Sequence, residues 1–447
     1  MIRLIWILAF WPGGWSTDSI LQYKQAVTRN YDDWHPVWHT IIFFTIPLKI
    51  FNNLPSIVIL QNIYFSLILG YVALTLVELW NIKASLLFTA WIVLNPIVGQ
   101  VMLFPWKDVA FMLAGTLCFI ISIKLILKHK SSDKLWKLIL LGVLLSWTTI
   151  FRHNAILFTT PLIILLCFHL NKKTLIQIIF AFFVSLLLIK IVLYSFLNVK
   201  QPQSRVEESM GLPLTIIGNV VTSTPEKLDE ELSQFAYSLL PKDEWVKGYK
   251  CGSFNTVKYN THINKTVIND KGYLGMINLM FKCFYLSPQA SFKALFSLTN
   301  LLYNFEDGGK DYSNVFISKN DLGISHTNII NPAWSKLLNF YKTFISKTFF
   351  KYFINYGVIL IIVLVVVLSK LKFNSWNSWK HALVIAPIFC YDFGTMFFLT
   401  GPNDIPRFFL ITYLIAPLII AFAFYKKDRT SENILDNTIQ RNKKSVI

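Results

Sequence analysis

Long apolar runs, separated by short polar turns, set the pattern of this chain. Nine of them, at 55–80, 84–104, 109–127, 138–151, 155–170, 175–197, 352–369, 382–399 and 408–425, read as membrane-spanning helices. A helix needs about 20 apolar residues to cross a bilayer core, so most of these runs are near the required length. A tenth run, 2–11, is too short to cross and has no signal-peptide cleavage pattern. It is either the stub of a first span or the end of a span that begins upstream. The run 39–51 is broken by Pro47 and carries Lys49, and it reads as an interfacial helix. The pattern therefore predicts an all-α polytopic membrane protein with about ten transmembrane helices. Interfacial helices in the first outer loop and one large mixed extracytoplasmic loop complete the expected fold.

Basic residues orient these spans. Lys83, Lys128, Lys130, Lys134, Lys137, Lys172, Lys173, Lys370, Lys372, Lys380, Lys426, Lys427 and Arg429 all fall at one side. The positive-inside rule makes that side the cytoplasm and places both termini there. The expected units are an N-terminal membrane module with outer loops (1–197), the large outer loop (198–350), C-terminal membrane helices (351–425) and a cytoplasmic tail (426–447). The expected location is the cell membrane, with the lipid bilayer as the first partner. Within the large loop, 291–305 and 334–353 have amphipathic spacing, and the loop reads as a folded module. Cys251 and Cys283 lie there and form the one candidate disulfide pair.

Composition agrees with the pattern. Hydrophobic residues are 54% of the 447, charged residues only 15%, and the mean hydropathy is +0.50. An ordinary soluble domain carries about 25% charge. The net charge of +18 would suggest nucleic acid in a soluble protein. Here the basic loops account for it topologically, and no nucleic-acid partner is expected. No phosphate-binding GxxxxGK[ST] or GxGxxG loop occurs, which argues against a nucleotide-driven motor.

The scarce acids locate the candidate chemistry. Only eight lie outside the large loop and the tail: Asp18, Asp32, Asp33, Glu78, Asp108, Asp133, Asp392 and Asp404. Five of these, Asp18, Asp32, Asp33, Asp108 and Asp404, fall on the outer face. Pro12-Gly13-Gly14 breaks the first helix, and Ser16 or Thr17 caps a new one running from Asp18 to about Arg29, with Gln22 on the face of Asp18. An acid in a first turn also complements the helix dipole. Asp33, Trp34 and His35 open the interfacial helix. Lys107 and Asp108 form the next outer turn, Arg152 and Asn154 the one after, and Asp404 and Arg407 the last. Ions at a membrane boundary are either solvated caps or functional groups. Arg152 departs from the basic side and needs an anionic partner, for which a guanidinium fork suits phosphate or carboxylate. Asp392 lies within a span, so it should face the bundle interior and have a partner.

The stretches 12–22 (PGxxSxDSxxQ), 33–40 (DWHPxxHT), 106–108 (WKD) and 152–155 (RxNA) resemble the C-type glycosyltransferase superfamily. They are most similar to a group of uncharacterised bacterial membrane proteins placed there. The resemblance covers about the first 155 residues and, loosely, the 404–407 turn. It implies a polyprenyl-phosphate sugar donor, a glycan, lipid or protein acceptor in the cell envelope, and an inverting transfer on the outer face. It assigns the catalytic base to Asp18. Members often carry Asp-Glu in the first loop where this chain has Asp18-Ser19, so Asp33 stays open as the base, with His35 beside it. Asp108 would position the acceptor or, with Asp18, a divalent metal such as Mg or Mn. Gln22, Lys107, Arg152, Asn154, Asp404 and Arg407 would bind substrate. On this reading Arg152→Ala weakens donor binding and keeps the fold. A transporter or flippase of a lipid-linked or anionic solute, with Asp392 and Lys190 inside spans, is the alternative. A surface polysaccharide polymerase is a third reading.

Overall fold

The computed structural model describes residues 2–128, 134–201, 209–253, 255–303, 305, 315–327, 329–372, 375–399 and 407–425. Asp133, Asp404, Lys130 and the tail 426–447 lie outside the described residues. Helices make up the described architecture, and the paired β-contacts are isolated bridges such as Trp15 with Ile317. The described part of the large loop, expected as mixed, is mostly helical, with an extended stretch at 315–327 that carries the bridge to Trp15.

Three helices are long and apolar enough to cross a bilayer: Pro55–Leu79, Lys107–Leu127 and Lys172–Phe196. Seven shorter apolar helices accompany them, so about ten full spans are not all met by length. The expected run 84–104 divides into Ile82–Leu94 and Pro96–Val101, because Pro96 has no N–H to continue the ladder and Asn95 caps the second helix. The run 352–369 likewise begins as two pieces, Lys351–Ile354 and Tyr356–Ser369. The Lys107–Lys128 helix is the central post, buried among its neighbours. Helices Leu135–Phe151, Ile156–His169, Pro55–Leu79 and Leu410–Ala423 pack around it.

The outer surface of this bundle is apolar. Phe180, Phe183, Leu187, Ile191 and Phe196 face outward from one helix, and Leu67, Leu74, Leu86 and Leu87 from two others. Such a continuous apolar surface does not persist in water and suits lipid contact. Ala333–Lys347 leaves Trp334, Leu337, Phe340 and Phe344 exposed along one side, as an interfacial helix does. Tyr341 anchors it by donating to the Leu94 carbonyl at 2.6 Å.

Short N-terminal helix Ile2–Ala9 is fixed by a cation. Arg3 is buried and donates to Asn62 Oδ1 at 2.8 Å and to the Val98 and Gly99 carbonyls. The large loop holds a second core, with Trp245 fully buried between Gly211–Ser223 and Glu230–Leu239. Its indole N–H donates to the Ala236 carbonyl at 2.9 Å, as a buried donor must find a partner. The candidate disulfide is not formed. Cys283 packs in this core, and Cys251 lies beside Ser297 Oγ at 3.4 Å.

Candidate functional site

Ser16 caps helix Thr17–Thr28, accepting from the Ser19 N–H at 3.3 Å. That cap sets Asp18 in the first turn, where the helix dipole favours a carboxylate. Ser16 is itself held by Trp106, whose indole N–H donates to its hydroxyl at 2.8 Å. Trp106 stacks on Phe104 with ring centroids 4.2 Å apart. Two glycines let the first loop approach this pair. Gly13 adopts φ +110°, a conformation side chains rarely take, and a Cβ on Gly14 would meet the Phe104 ring at 2.5 Å. The first outer loop and the Phe104–Asp108 turn are thereby locked together.

A strap from the far end of the large loop closes over them. Trp15 donates its N–H to the Phe316 carbonyl at 2.9 Å and accepts from the Ser318 N–H at 2.7 Å. Lys24 pairs with Asp321 at 2.6 Å, and the Thr327 N–H donates to the Trp11 carbonyl at 3.0 Å.

Within this frame the acids differ in their commitments. Asp33 is saturated: Lys190 Nζ lies 2.7 Å from Oδ2, while Oδ1 accepts from Tyr194 Oη at 2.8 Å and from the Val37 N–H at 3.3 Å. Asp108 is 3% exposed and paired with Arg152, itself 4% exposed. Arg152 also lies 4.2 Å over the Phe408 ring and donates to Asn154, whose amide donates to Thr395 Oγ1 at 2.8 Å. Asp18 is the open carboxylate, its side chain 41% exposed. Arg407 stands between Asp18 and Asp108, with Nη1 3.9 Å from Asp18 and Nε 3.9 Å from Asp108. Its guanidinium is supported 4.8 Å over Trp106 and 4.9 Å over Phe408.

His35 is buried against this group, with Nε2 3.8 Å from Asp18 Oδ1. Burial first, and then the charge of Lys107, push its pKa down to about 4 against the pull of Asp18. It is therefore an uncharged imidazole at neutral pH. Neither ring nitrogen has a hydrogen-bond partner among the described residues. A buried ring in that state is poised to bond an incoming group. Lys107 is half-buried at the start of the central helix, with no carboxylate in ion-pair range among the described residues.

Several expectations shift in detail. Gln22 turns away from Asp18 and bridges His39 Nδ1 at 2.8 Å and Thr40 Oγ1 at 3.0 Å. Arg152 and Asn154 brace the bundle interior. Asp392 does face the interior, accepting from Thr412 Oγ1 at 2.8 Å. The expected divalent metal between Asp18 and Asp108 fits these residues poorly. Arg407 already stands between the two carboxylates, and Arg152 occupies Asp108. Sequence reading missed Lys190, Tyr194, Trp106 and Thr395 as partners of site residues. A lone lysine within an apolar run was the available signal for Lys190, since such a charge needs an acid.

No family model matches the chain, and no curated protein sequence matches it. Among solved structures, the crystal structure of ArnT from Cupriavidus metallidurans in the apo state is similar over 94% of this chain and 74% of that one, at 10% identity and a TM-score of 0.31.

Proposed function

We propose that this chain is an integral-membrane glycosyltransferase. It moves a sugar from a polyprenyl-phosphate donor to a cell-envelope glycan, lipid or protein on the outer face. The observation that carries this reading is the contrast among the acids. Asp18 is 41% exposed and lies within 4 Å of His35 and Arg407, with Lys107 at the start of the neighbouring helix, while Asp33 and Asp108 are held in closer, more buried pairs with Lys190 and Arg152. An open carboxylate beside cations at the end of an apolar bundle suits a substrate with a hydroxyl nucleophile and an anionic, lipid-borne leaving group.

In the proposed reaction Asp18 takes the proton of the acceptor hydroxyl. The acceptor oxygen forms a bond to the anomeric carbon as that carbon's bond to the phosphate oxygen breaks. The electron pair leaves with the polyprenyl phosphate, whose charge is met by Lys107 and Arg407. Neutral His35 offers a hydrogen bond to a sugar hydroxyl. Arg407 orients Asp18 before the acceptor arrives. No step needs a metal, and Arg407 supplies the positive charge between Asp18 and Asp108. The two ions that the transport reading relies on are committed elsewhere, Lys190 to Asp33 and Asp392 to Thr412, which argues against a transport pathway.

The test uses the full chain in proteoliposomes with radiolabelled polyprenyl-phosphate sugars, following carrier release and sugar transfer together. Wild type should couple the two. Asp18→Asn should lower transfer by about 10²–10⁴-fold, the usual contribution of a general base. Undiminished transfer by folded Asp18→Asn would refute the role. Movement of intact donor across the bilayer without release would select the transporter.

A further inference from the structure

A cavity of about 310 Å³ opens at the other end of the bundle from Asp18. Ile126 and Leu127 line it, at the end of the helix that begins with Lys107. At 1.5 Å per residue the two ends of that helix are about 30 Å apart, so the cavity is separate from the candidate active site. Its walls are two-faced. Val367, Val384 and Phe422 form an apolar floor, while Lys370, Ser378 and His381 supply a polar rim. None of the lining residues is acidic, among the described residues. Glu78, at the end of helix Pro55–Leu79, is paired with Lys124 at 3.0 Å.

The rim is ordered by specific contacts. Ser378 Oγ accepts from the Lys372 N–H at 2.7 Å, which holds Ser378 beside Lys372. Lys370 is exposed, with Nζ 4.3 Å above the Phe424 ring, a position that keeps the ammonium at the mouth. The His381 ring packs 5.7 Å from Phe422.

We propose that this cavity binds an anionic phospholipid from the leaflet at the lysine-rich end. Its phosphate meets Lys370 and His381, and the first carbons of one acyl chain lie on the apolar floor. Basic pockets between helices at a membrane surface recognise acidic headgroups in this way. Charge decides against the obvious competitor, the chain's own tail. Residues 426–447 hold six basic and three acidic residues, so the tail repels a basic rim and adds to its attraction for an acidic lipid. This site goes beyond the proposed transfer reaction and stands whether or not Asp18 is a base.

The probe is a photo-crosslinkable phosphatidylglycerol, compared with the matching phosphatidylcholine, added to the purified full chain in detergent. Phosphatidylglycerol should label peptides within 367–384 and 422–425, and phosphatidylcholine should not. Lys370→Gln, an exposed and fold-neutral change, should lower labelling roughly tenfold, the loss of one charge-assisted contact. Ala382 also lines the cavity, and Ala382→Leu leaves every charge in place and should lower labelling by filling that space. Equal labelling by both lipids, or undiminished labelling in both variants, would overturn the proposal. So would inorganic phosphate displacing the label, which would assign the rim to a free anion. Labelling that appears only after removal of 426–447 would assign the cavity to the tail and equally overturn it.

Discussion

Lys190 Nζ lies 2.7 Å from Asp33 Oδ2, joining residues 157 positions apart. This pair ties the interfacial segment to the helix that carries Lys190, and Tyr194 reinforces it from the next turn. Removing the carboxylate strands a cation at the bundle surface. A fully buried pair broken on one side costs about 3–5 kcal/mol. Lys190 is about a third exposed, so about 2 kcal/mol is expected for Asp33→Asn. Thermal unfolding in detergent should show that loss, while transfer per folded molecule stays within a few-fold of wild type. A stable, inactive Asp33→Asn would exchange the roles of Asp33 and Asp18.

Arg152 and Asp108 make the opposite kind of pair, with both partners buried. The sequence suggested that Arg152→Ala would spare the fold and weaken donor binding. The geometry leads to another expectation. Arg152→Ala leaves Asp108 uncompensated and should destabilise the protein by about 3–5 kcal/mol. Arg152→Met combined with Asp108→Leu should recover much of that loss, because two buried charges leave together. A double-mutant cycle measures the coupling. Additive losses would show that the pair does not act as a unit.

His35 gives the stability a pH dependence. Its ordinary value of 6.5 falls to about 4 in the folded chain, so the unfolded state binds the proton first. The stabilisation from keeping His35 neutral is complete above pH 6.5 and is lost as pH falls toward 4. At about 1.4 kcal/mol per tenfold change in affinity, up to about 3 kcal/mol is involved. Lys107, Arg407 and His153 disfavour the charged ring, and Asp18 opposes them. His35→Asn should flatten the slope of melting temperature between pH 6.5 and 4. An unchanged slope would assign the acid sensitivity to other groups.

Gly14 sits where a methyl group would meet the Phe104 ring at 2.5 Å. Phe104 supports Trp106, and Trp106 holds the Ser16 cap. Gly14→Ala should cost about 1–3 kcal/mol through overpacking. It should also lower transfer by displacing the Asp18 helix. Wild-type melting and activity in this variant would show that the loop yields freely.

Local features of this architecture were legible in the sequence. The Asp18 helix was expected from about 18 to 29 and runs Thr17–Thr28, because capping depends on neighbours within one turn. The central run 109–127 became Lys107–Lys128 for a similar reason, its apolar length being its own signal. The break in 84–104 was written in Asn95-Pro96, yet continuous hydropathy outweighed it. The site was legible in residue type and layer, not in pairing. Nothing in the sequence near Asp33 names Lys190, and nothing near Asp108 names Arg152 or Arg407. Those choices depend on how helices far apart in sequence meet. They decide which carboxylate is left open.

The strap across Trp15 has a consequence for how the chain is made. Its Lys24–Asp321 contact spans 297 residues, and Arg407 comes later still. Domains form from the N-terminus as synthesis proceeds, and contacts across such separations close last. The Asp18 loop therefore enters the membrane among the first segments and is completed among the last. A ribosome that stalls short of the strap releases a chain with Asp18 in place and without the contacts that hold its loop. On the proposed reading, partial products would then be silent by construction.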